Sequence, residues 1–413
     1  MPSLLRLAEQ YGVPYYLYDE SVIAAQWRLL RESLPDFRIL YSIKTNPHPD
    51  ICRAMRNAGA GADAASAGEV QRALAVGFAP ADILYSAPGK SEADLTFGMA
   101  SSVLIADSYG ELERLDVLAA EAGRVLDVGL RINPDMSFSP GAWPDVNPGV
   151  AAKFGVDEES LEGRRDYFRS LRNIRVRGIH VFLRSQVLSH PALMLYFRHV
   201  FRLAARCAAY FGHEQEFINF GGGFGVAVGD WRTPLDVKAL GGELRLLAGR
   251  ERGAFAERMR LYVESGRYLV GKAGTFVTRV EDVKHSRGTT WVIVQGALNG
   301  FFRPALMNLM NALPGDPPPP LEPLYSNGSA HRVSLPELED REKRPIRKVT
   351  VCGCLCTSLD VLAKDVPLPD PRVGDILTVD NAGAYAATLS PYAFASFERP
   401  SEIFLDEQGL ASL

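Results

Sequence analysis

From about residue 37 onward, short runs rich in β-branched and apolar residues alternate with stretches whose apolar positions recur at helical spacing. FRILYSIK (37–44) reads as a strand, and PDICRAMRNAG (49–59) as a helix stopped by Gly59. After GADAAS come the helix AGEVQRALAVG (67–77), the strand DILYSA (82–87) and the helix SEADLTFGMA (91–100), opened by Ser91. VLIAD (103–107) is the next strand, feeding the helix SYGELERLDVLAAEAG (108–123) with Ser108 as its expected N-cap. VLDVGLRINP (125–134), IRVRGIHVFL (174–183), FINFGGG (217–223) and RLYVESG (260–266) read as further strands, with a long helix over 191–211. Each strand–helix unit takes about 20–45 residues, enough for a parallel strand and its crossover. About eight strand candidates before residue 266 predict an α/β fold, a closed (β/α)8 TIM-like barrel rather than an open sheet. Chemistry is then expected where the strand-end loops line one face.

Beyond residue 266 the pattern changes. TFVTRVEDVKHS, TTWVIVQGAL, RKVTVCGCLC and GDILTVDNAG are strand-like and separated by turns, which predicts a second, all-β domain. The expected division is a barrel over 22–258, with 1–21 and 259–413 forming a β-sandwich or β-barrel-like domain. PGDPPPPLEP (314–323) reads as a rigid, exposed proline-rich connector. The opening MPSLLRLAEQYG has an acidic residue and no long apolar core, so it reads as an amphipathic helix, not a signal peptide.

Composition changes this picture little. Over 413 residues, 47% are hydrophobic and 23% charged, which is ordinary for a globular chain and excludes a mostly disordered one. Lys plus Arg is 45 against 49 Asp plus Glu, and the net charge of −4 gives no footing for nucleic acid or a basic membrane surface. No apolar run reaches the ~18 residues of a membrane span. Cys52, Cys207, Cys352, Cys354 and Cys356 are too few for a disulfide scaffold, so a reducing, cytoplasmic setting is expected.

Four places carry candidate chemistry. Lys44 ends the first barrel strand; it is either a solvated surface lysine or an amine poised to form a Schiff base with a carbonyl or pyridoxal phosphate. Gly221, Gly222 and Gly223 follow the strand FINF, either as a tight loop or as backbone N–H groups free to approach an anion. Glu264 and Arg267 lie in ESGR, as a surface ion pair or as a carboxylate for a protonated pyridine nitrogen with its neighbour. Cys352, Cys354 and Cys356 would share one face of a strand, as core thiols or with one acting as proton donor. C-x-C-x-C without nearby histidines is not a common zinc spacing, so no metal is expected.

The ordered set YSIKTN, GADAASAGEV, LRINP, KFGV, FGGGFG, ESGR, RPAL, CGCLCTSLD and DNAGAYA resembles the pyridoxal phosphate-dependent decarboxylases of the alanine-racemase-like fold, which include diaminopimelate and ornithine decarboxylases. The resemblance runs over nearly the whole chain. It implies that Lys44 is the Schiff-base lysine and that Gly221, Gly222 and Gly223 hold the phosphate with Ser185 and Tyr385. Glu264 would pair with the pyridine nitrogen, and Arg267 would lie beside the phosphate or a substrate carboxylate. Asp63 and Ser66 would belong to the pocket floor. Cys356 would be the catalytic cysteine, shared across a homodimer, and Arg303 would bind a distal substrate carboxylate. Racemases of this fold usually place an arginine at the ring nitrogen, so Glu264 favours decarboxylation over racemisation or epimerisation.

Three departures fall on the substrate side. Phe182-Leu183-Arg184-Ser185 stands where the family has His-x-Gly-Ser; Phe182 replaces the stacking histidine, with His180 as the other candidate, and Arg184 replaces a glycine. Thr357 stands where diaminopimelate and ornithine decarboxylases place a carboxylate for the distal amine. Met307 replaces a tyrosine of the diaminopimelate branch. A neutral Thr357 would leave a distal ammonium without counter-charge, at a cost of several kcal/mol. The expected substrate is therefore an amino acid with an acylated or conjugated distal end, of the kind used in siderophore and antibiotic pathways, such as citryl-diaminopropionate. Its carboxylates would give Arg303 and Arg184 partners. Diaminopimelate decarboxylation remains the alternative.

Overall fold

The computed structural model describes residues 2–138, 146–147, 149–227, 233–251, 259–312, 331–338, 340 and 343–413. The proline-rich segment 314–323 lies outside them. The chain forms two compact units: residues 27–225 with 234–266, and residues 1–26 with 226–233 and 267–413.

The first unit is the barrel. Its strands are Arg38–Ser42, Gly61–Ala64, Ile83–Ser86, Val103–Ala106, Leu126–Asn133, Ile174–Val181, Phe217–Asn219 and Arg260–Ser265. All pair in parallel, and Ile174–Val181 pairs with both Leu126–Asn133 and Phe217–Asn219, which closes the ring. GADA, unassigned from the sequence, is a barrel strand. Because Arg260–Ser265 closes the barrel, this unit runs to Gly266, past the expected end at residue 258.

Serine hydroxyls start several crossover helices. Ser66, Ser91 and Ser108 each accept the backbone N–H three residues on, and Asp94 returns a bond to Ser91 to complete a capping box. The strands end sooner than their apolar runs: Ile174–Val181 stops before Phe182, and Phe217–Asn219 before the glycines.

The barrel interior is filled, not hollow. Leu40, Leu84, Ile105, Phe217 and Tyr262, from five strands, pack as one cluster. Two glycines on neighbouring strands make room for Phe217. A Cβ on Gly178 would stand 2.5 Å from ring atoms, and one on Gly129 would stand 2.9 Å away.

In the second unit, Tyr15–Asp19 pairs antiparallel with Gly274–Ser286 and parallel with Ser401–Leu405. Gly274–Ser286 turns into Thr289–Val294 through Arg287 and Gly288, both at positive φ, as a two-residue hairpin of the type that matches strand twist. Ile346–Cys352, Val361–Pro369 and Ile376–Val379 extend the sheet. The amphipathic opening forms the helix Leu4–Tyr11, whose Leu7 and Ala8 pack with Leu17, Val277 and Ile403. Its first N–H groups donate to Glu337, from Leu4 at 2.7 Å and Leu5 at 2.9 Å.

One expectation fails here. Only Cys352 lies in a strand; residues 353–358 form a loop, so the three cysteines do not share a strand face. Leu355 is buried with Leu298 and Ala305 while Cys354 and Cys356 are exposed. Asp360 sets this geometry, accepting the N–H of Leu298 at 2.6 Å and of Leu355 at 2.8 Å.

Gly178→Ala should lower stability by about 1–3 kcal/mol, the usual cost of overpacking. Adding Phe217→Leu should recover part of that loss in urea unfolding. Equal losses in the single and double variants would show that the two sites do not compete for one space.

Candidate active site

Strand ends of the barrel bring together a chain of polar side chains. Glu264, on the last strand, is 4% exposed. Its Oε1 accepts from Asn219 Nδ2 at 2.8 Å. His180 Nε2 lies 3.1 Å from the same oxygen, though its ring N–H is not aimed along that line, so the contact is electrostatic. His180 Nδ1 meets Ser86 Oγ at 3.0 Å. Burial would raise the Glu264 carboxyl, but His180, Lys44 and the Asn219 amide together outweigh it and hold the group down at about 2. A buried, ionised carboxylate thus sits at the strand ends.

Lys44 follows the first strand in a 3-10 turn, and its Nζ lies 2.6 Å from Asp63 Oδ2. Asp63 is buried while the lysine side chain is 39% exposed, so the amine remains within reach of a ligand. Ser66 is exposed and caps its helix; its hydroxyl accepts from Glu69 N at 3.2 Å. Glu69 in turn accepts from Ala65 N at 2.7 Å, and burial pushes its carboxyl up.

The glycine run packs hard against its surroundings. A Cβ on Gly221 would strike the Val181 carbonyl and lie 3.0 Å from the Phe182 ring. On Gly222 it would meet the Glu264 carbonyl at 2.6 Å, and on Gly223 the Arg184 carbonyl at 2.5 Å. Gly221 and Gly223 also take positive φ. Gly221 N–H donates to Asn219 Oδ1 at 2.9 Å. Among the described residues, Gly222 and Gly223 N–H have no protein acceptor. Phe182, Arg184 and Ser185 are half-buried beside this turn.

The other predicted residues lie in the second unit. Arg267 opens the short helix Arg267–Val270, is 4% exposed, and stands 4.9 Å over the Tyr385 ring. The NAGAY turn reaches it because Gly383 has no side chain: a Cβ there would strike the Val270 carbonyl. Arg303 is buried and donates to the Asn381 carbonyl at 3.3 Å. Met307, expected on the substrate side, is 2% exposed and lies with Arg303 on the helix Phe302–Ala312. The Thr357 hydroxyl accepts from Leu359 N at 3.3 Å, closing a turn within its own loop.

Sequence reasoning missed Asn219, Ser86, Glu69 and His331. Burial and the nearby Arg303 and Arg267 push His331 well below the ordinary histidine range, and its Nδ1 meets the Asp380 carbonyl at 2.8 Å. Asn219, Ser86 and Glu69 lie within the runs FINFGGG, DILYSA and GADAASAGEV, where nothing local singled them out, and His331 lies in none of the runs.

This arrangement fits pyridoxal phosphate. An accessible amine, two open N–H groups on a side-chain-free turn and an ionised buried carboxylate match its aldehyde, its phosphate and its ring nitrogen. Thr45 Oγ1 and Ser265 Oγ are also buried without a hydrogen-bond partner among the described residues.

A lysine-bearing parallel barrel with a separate β unit is the class of the alanine-racemase-like pyridoxal phosphate enzymes. The family profile described as "Pyridoxal-dependent decarboxylase, pyridoxal binding domain" matches residues 20–271. The L-glutamyl-(BtrI acyl-carrier protein) decarboxylase of Niallia circulans is 33% identical over 404 residues, covering 97% of this chain and 90% of the relative. The diaminopimelate decarboxylase of Methanothermobacter thermautotrophicus is 30% identical over 418 residues, covering 98% and 89%. The crystal structure of the Helicobacter pylori diaminopimelate decarboxylase complexed with L-lysine is 25% identical, with a TM-score of 0.80 over 99% of this chain and 95% of that one. The chain belongs to the pyridoxal-dependent decarboxylases. It is a pyridoxal phosphate-dependent carboxy-lyase acting on an amino acid. No helix among the described residues is long and apolar enough to cross a membrane.

The depressed Glu264 fixes a pH signature. A carboxyl at about 2 when folded, below its unfolded value of about 4.3, stabilises the fold above that unfolded value. The contribution fades as pH falls toward 2. The stability difference between wild type and Glu264→Gln, from urea melts at stepped pH, should therefore shrink across that window. A difference that stays constant from pH 6 to pH 3 would mean the carboxylate is not held ionised.

Proposed function

We propose that the chain decarboxylates an amino acid whose distal end is acylated or otherwise conjugated, in siderophore or other specialised biosynthesis. The observation that carries this is Thr357, a neutral hydroxyl turned to its own loop where a free distal ammonium would need a carboxylate. A relative named for a glutamyl group joined to a carrier protein supports the same reading. Diaminopimelate decarboxylation is the second reading, favoured by Arg303 and by the diaminopimelate decarboxylases among the relatives.

The geometry supports the following roles. Lys44 is the amine that would hold the cofactor aldehyde, with Asp63 fixing its position. Gly222 and Gly223 N–H, with Ser185, would bind the cofactor phosphate, and Arg267 and Tyr385 are proposed anion-binding residues of the second unit. Phe182 would lie against the cofactor ring, and His180 steadies Glu264. Bound pyridoxal phosphate supplies the sink for the electron pair released when the carboxylate leaves Cα. Glu264 keeps the ring nitrogen protonated, which strengthens that sink and favours decarboxylation over racemisation. Cys356, exposed on its loop, delivers the proton to Cα. It acts from the partner subunit of a homodimer.

The test is CO2 release by the cofactor-loaded protein from diaminopimelate, ornithine, lysine, diaminopropionate and acyl- or citryl-conjugated diaminopropionate. Release from conjugates at a kcat/KM at least ~10-fold above any free diamino acid is expected, given a deficit of at least ~1.4 kcal/mol for an uncompensated ammonium. Faster turnover of free diaminopimelate would establish the second reading. Thr357→Asp should shift the preference toward free diamino acids. Mixing Lys44→Ala with Cys356→Ala subunits should restore part of the activity that each lacks; no recovery after demonstrated subunit exchange would place the site within one chain.

A further inference from the structure

The buried and half-buried lysines and arginines of the barrel unit are paired, with one exception among the described residues. Lys44 meets Asp63 at 2.6 Å, the buried Lys90 meets Glu111 at 2.8 Å, and Arg131 lies 3.6 Å from Asp107. Arg184 is half-buried, and among the described residues its guanidinium makes no hydrogen bond, ion pair or ring contact. Burial alone acts on it and pushes its pKa down; no carboxylate pulls the other way. Its position is equally specific. It lies three residues past the end of Ile174–Val181, and its carbonyl packs on Gly223, beside the two open N–H groups. A partly desolvated guanidinium without counter-charge is costly in the protein alone, and its planar fork of donors matches a carboxylate or phosphate.

We infer that Arg184 is an anion-binding subsite for the substrate's distal conjugate, so that the substrate class is an amino acid capped at its distal end by a group bearing a carboxylate or phosphate. This rests on the conjugated-substrate reading above and sharpens it. Thr357 withholds a negative charge from the substrate's distal end, and Arg184 supplies a positive one. The two residues move preference in the same direction, from cationic to anionic.

The test compares succinyl-capped and acetyl-capped diaminopropionate, which differ by a carboxylate, on the cofactor-loaded wild type, Arg184→Gly and Arg184→Lys. The ratio of KM for the succinyl over the acetyl compound should rise about 10- to 100-fold in Arg184→Gly, the usual effect of removing a charged hydrogen bond, and less in Arg184→Lys. An unchanged ratio overturns the inference. Titration of apoprotein with pyridoxal phosphate, followed by absorbance, covers the other anion in reach. Cofactor affinity should stay within ~3-fold of wild type, since removing a charged hydrogen bond to the phosphate would weaken it by about 10-fold or more; a larger drop with an unchanged ratio would assign Arg184 to the cofactor phosphate instead. Calorimetric binding of the same two compounds lacking the α-amine, which cannot react, separates this inference from the reading it rests on. If no conjugate releases CO2, the conjugated-substrate reading fails by itself. A preference of the wild type for the succinyl analogue, abolished in Arg184→Gly, would still establish the subsite, and equal binding of both analogues would refute it.

Discussion

The barrel's functional end depends on one constraint: Glu264 must stay ionised while buried. A lone carboxylate there would take up a proton, because desolvation opposes charge. It is kept charged by Asn219, His180 and Lys44, which come from other strand ends and loops. The same requirement organises the backbone. Glu264 N–H donates to the Gly221 carbonyl at 2.7 Å, Asn219 also receives Gly221 N–H, and the Glu264 carbonyl occupies the space that a side chain on Gly222 would need. Ser86, His180, Glu264, Asn219 and Gly221 therefore form one continuous polar path across four strand ends. Such a path stabilises more as a whole than as separate pairs, since losing one member strands the others in a low dielectric.

That dependence explains what the sequence could and could not disclose. The βα period, the serine caps and the switch to β-rich patterning after residue 266 are local signals, and local chemistry enforces them. Ser91 and Asp94 cap a helix within one turn. Ser86 and His180, by contrast, lie 94 residues apart, and Asn219 and Glu264 lie 45 apart. Nothing in the neighbourhood of either the asparagine or the serine marks it as a partner. Lys44, the glycines and Glu264 stand out as candidates at strand ends, and the resemblance gives them roles because it carries information about three-dimensional neighbours that periodicity lacks.

The cysteine segment shows the opposite failure, a local pattern overruled from a distance. C-x-C-x-C alternates as a strand would, yet the strand ends at Cys352. Asp360 draws the N–H groups of Leu298 and Leu355 to itself, and its carboxylate fills the space beside Gly353, which only glycine leaves open. Satisfying that buried carboxylate takes backbone donors that a continued strand would have paired elsewhere. The result is a loop that buries Leu355 and leaves Cys356 exposed.

The glycine run joins both lessons. Its three glycines are explained by packing alone, since each has a carbonyl where a Cβ would be. Packing does not explain why Gly222 and Gly223 keep their N–H groups open when Gly221 does not. Both residues are half-buried, so these donors stay open to solvent or to a ligand. Two donors held open beside a carboxylate-stabilised strand end, with an accessible lysine at another, suit a ligand with an anionic tail. The tight loop and the anion cradle, rival readings of the same three letters, are therefore one structure: close packing fixes the turn, and the fixed turn presents the donors.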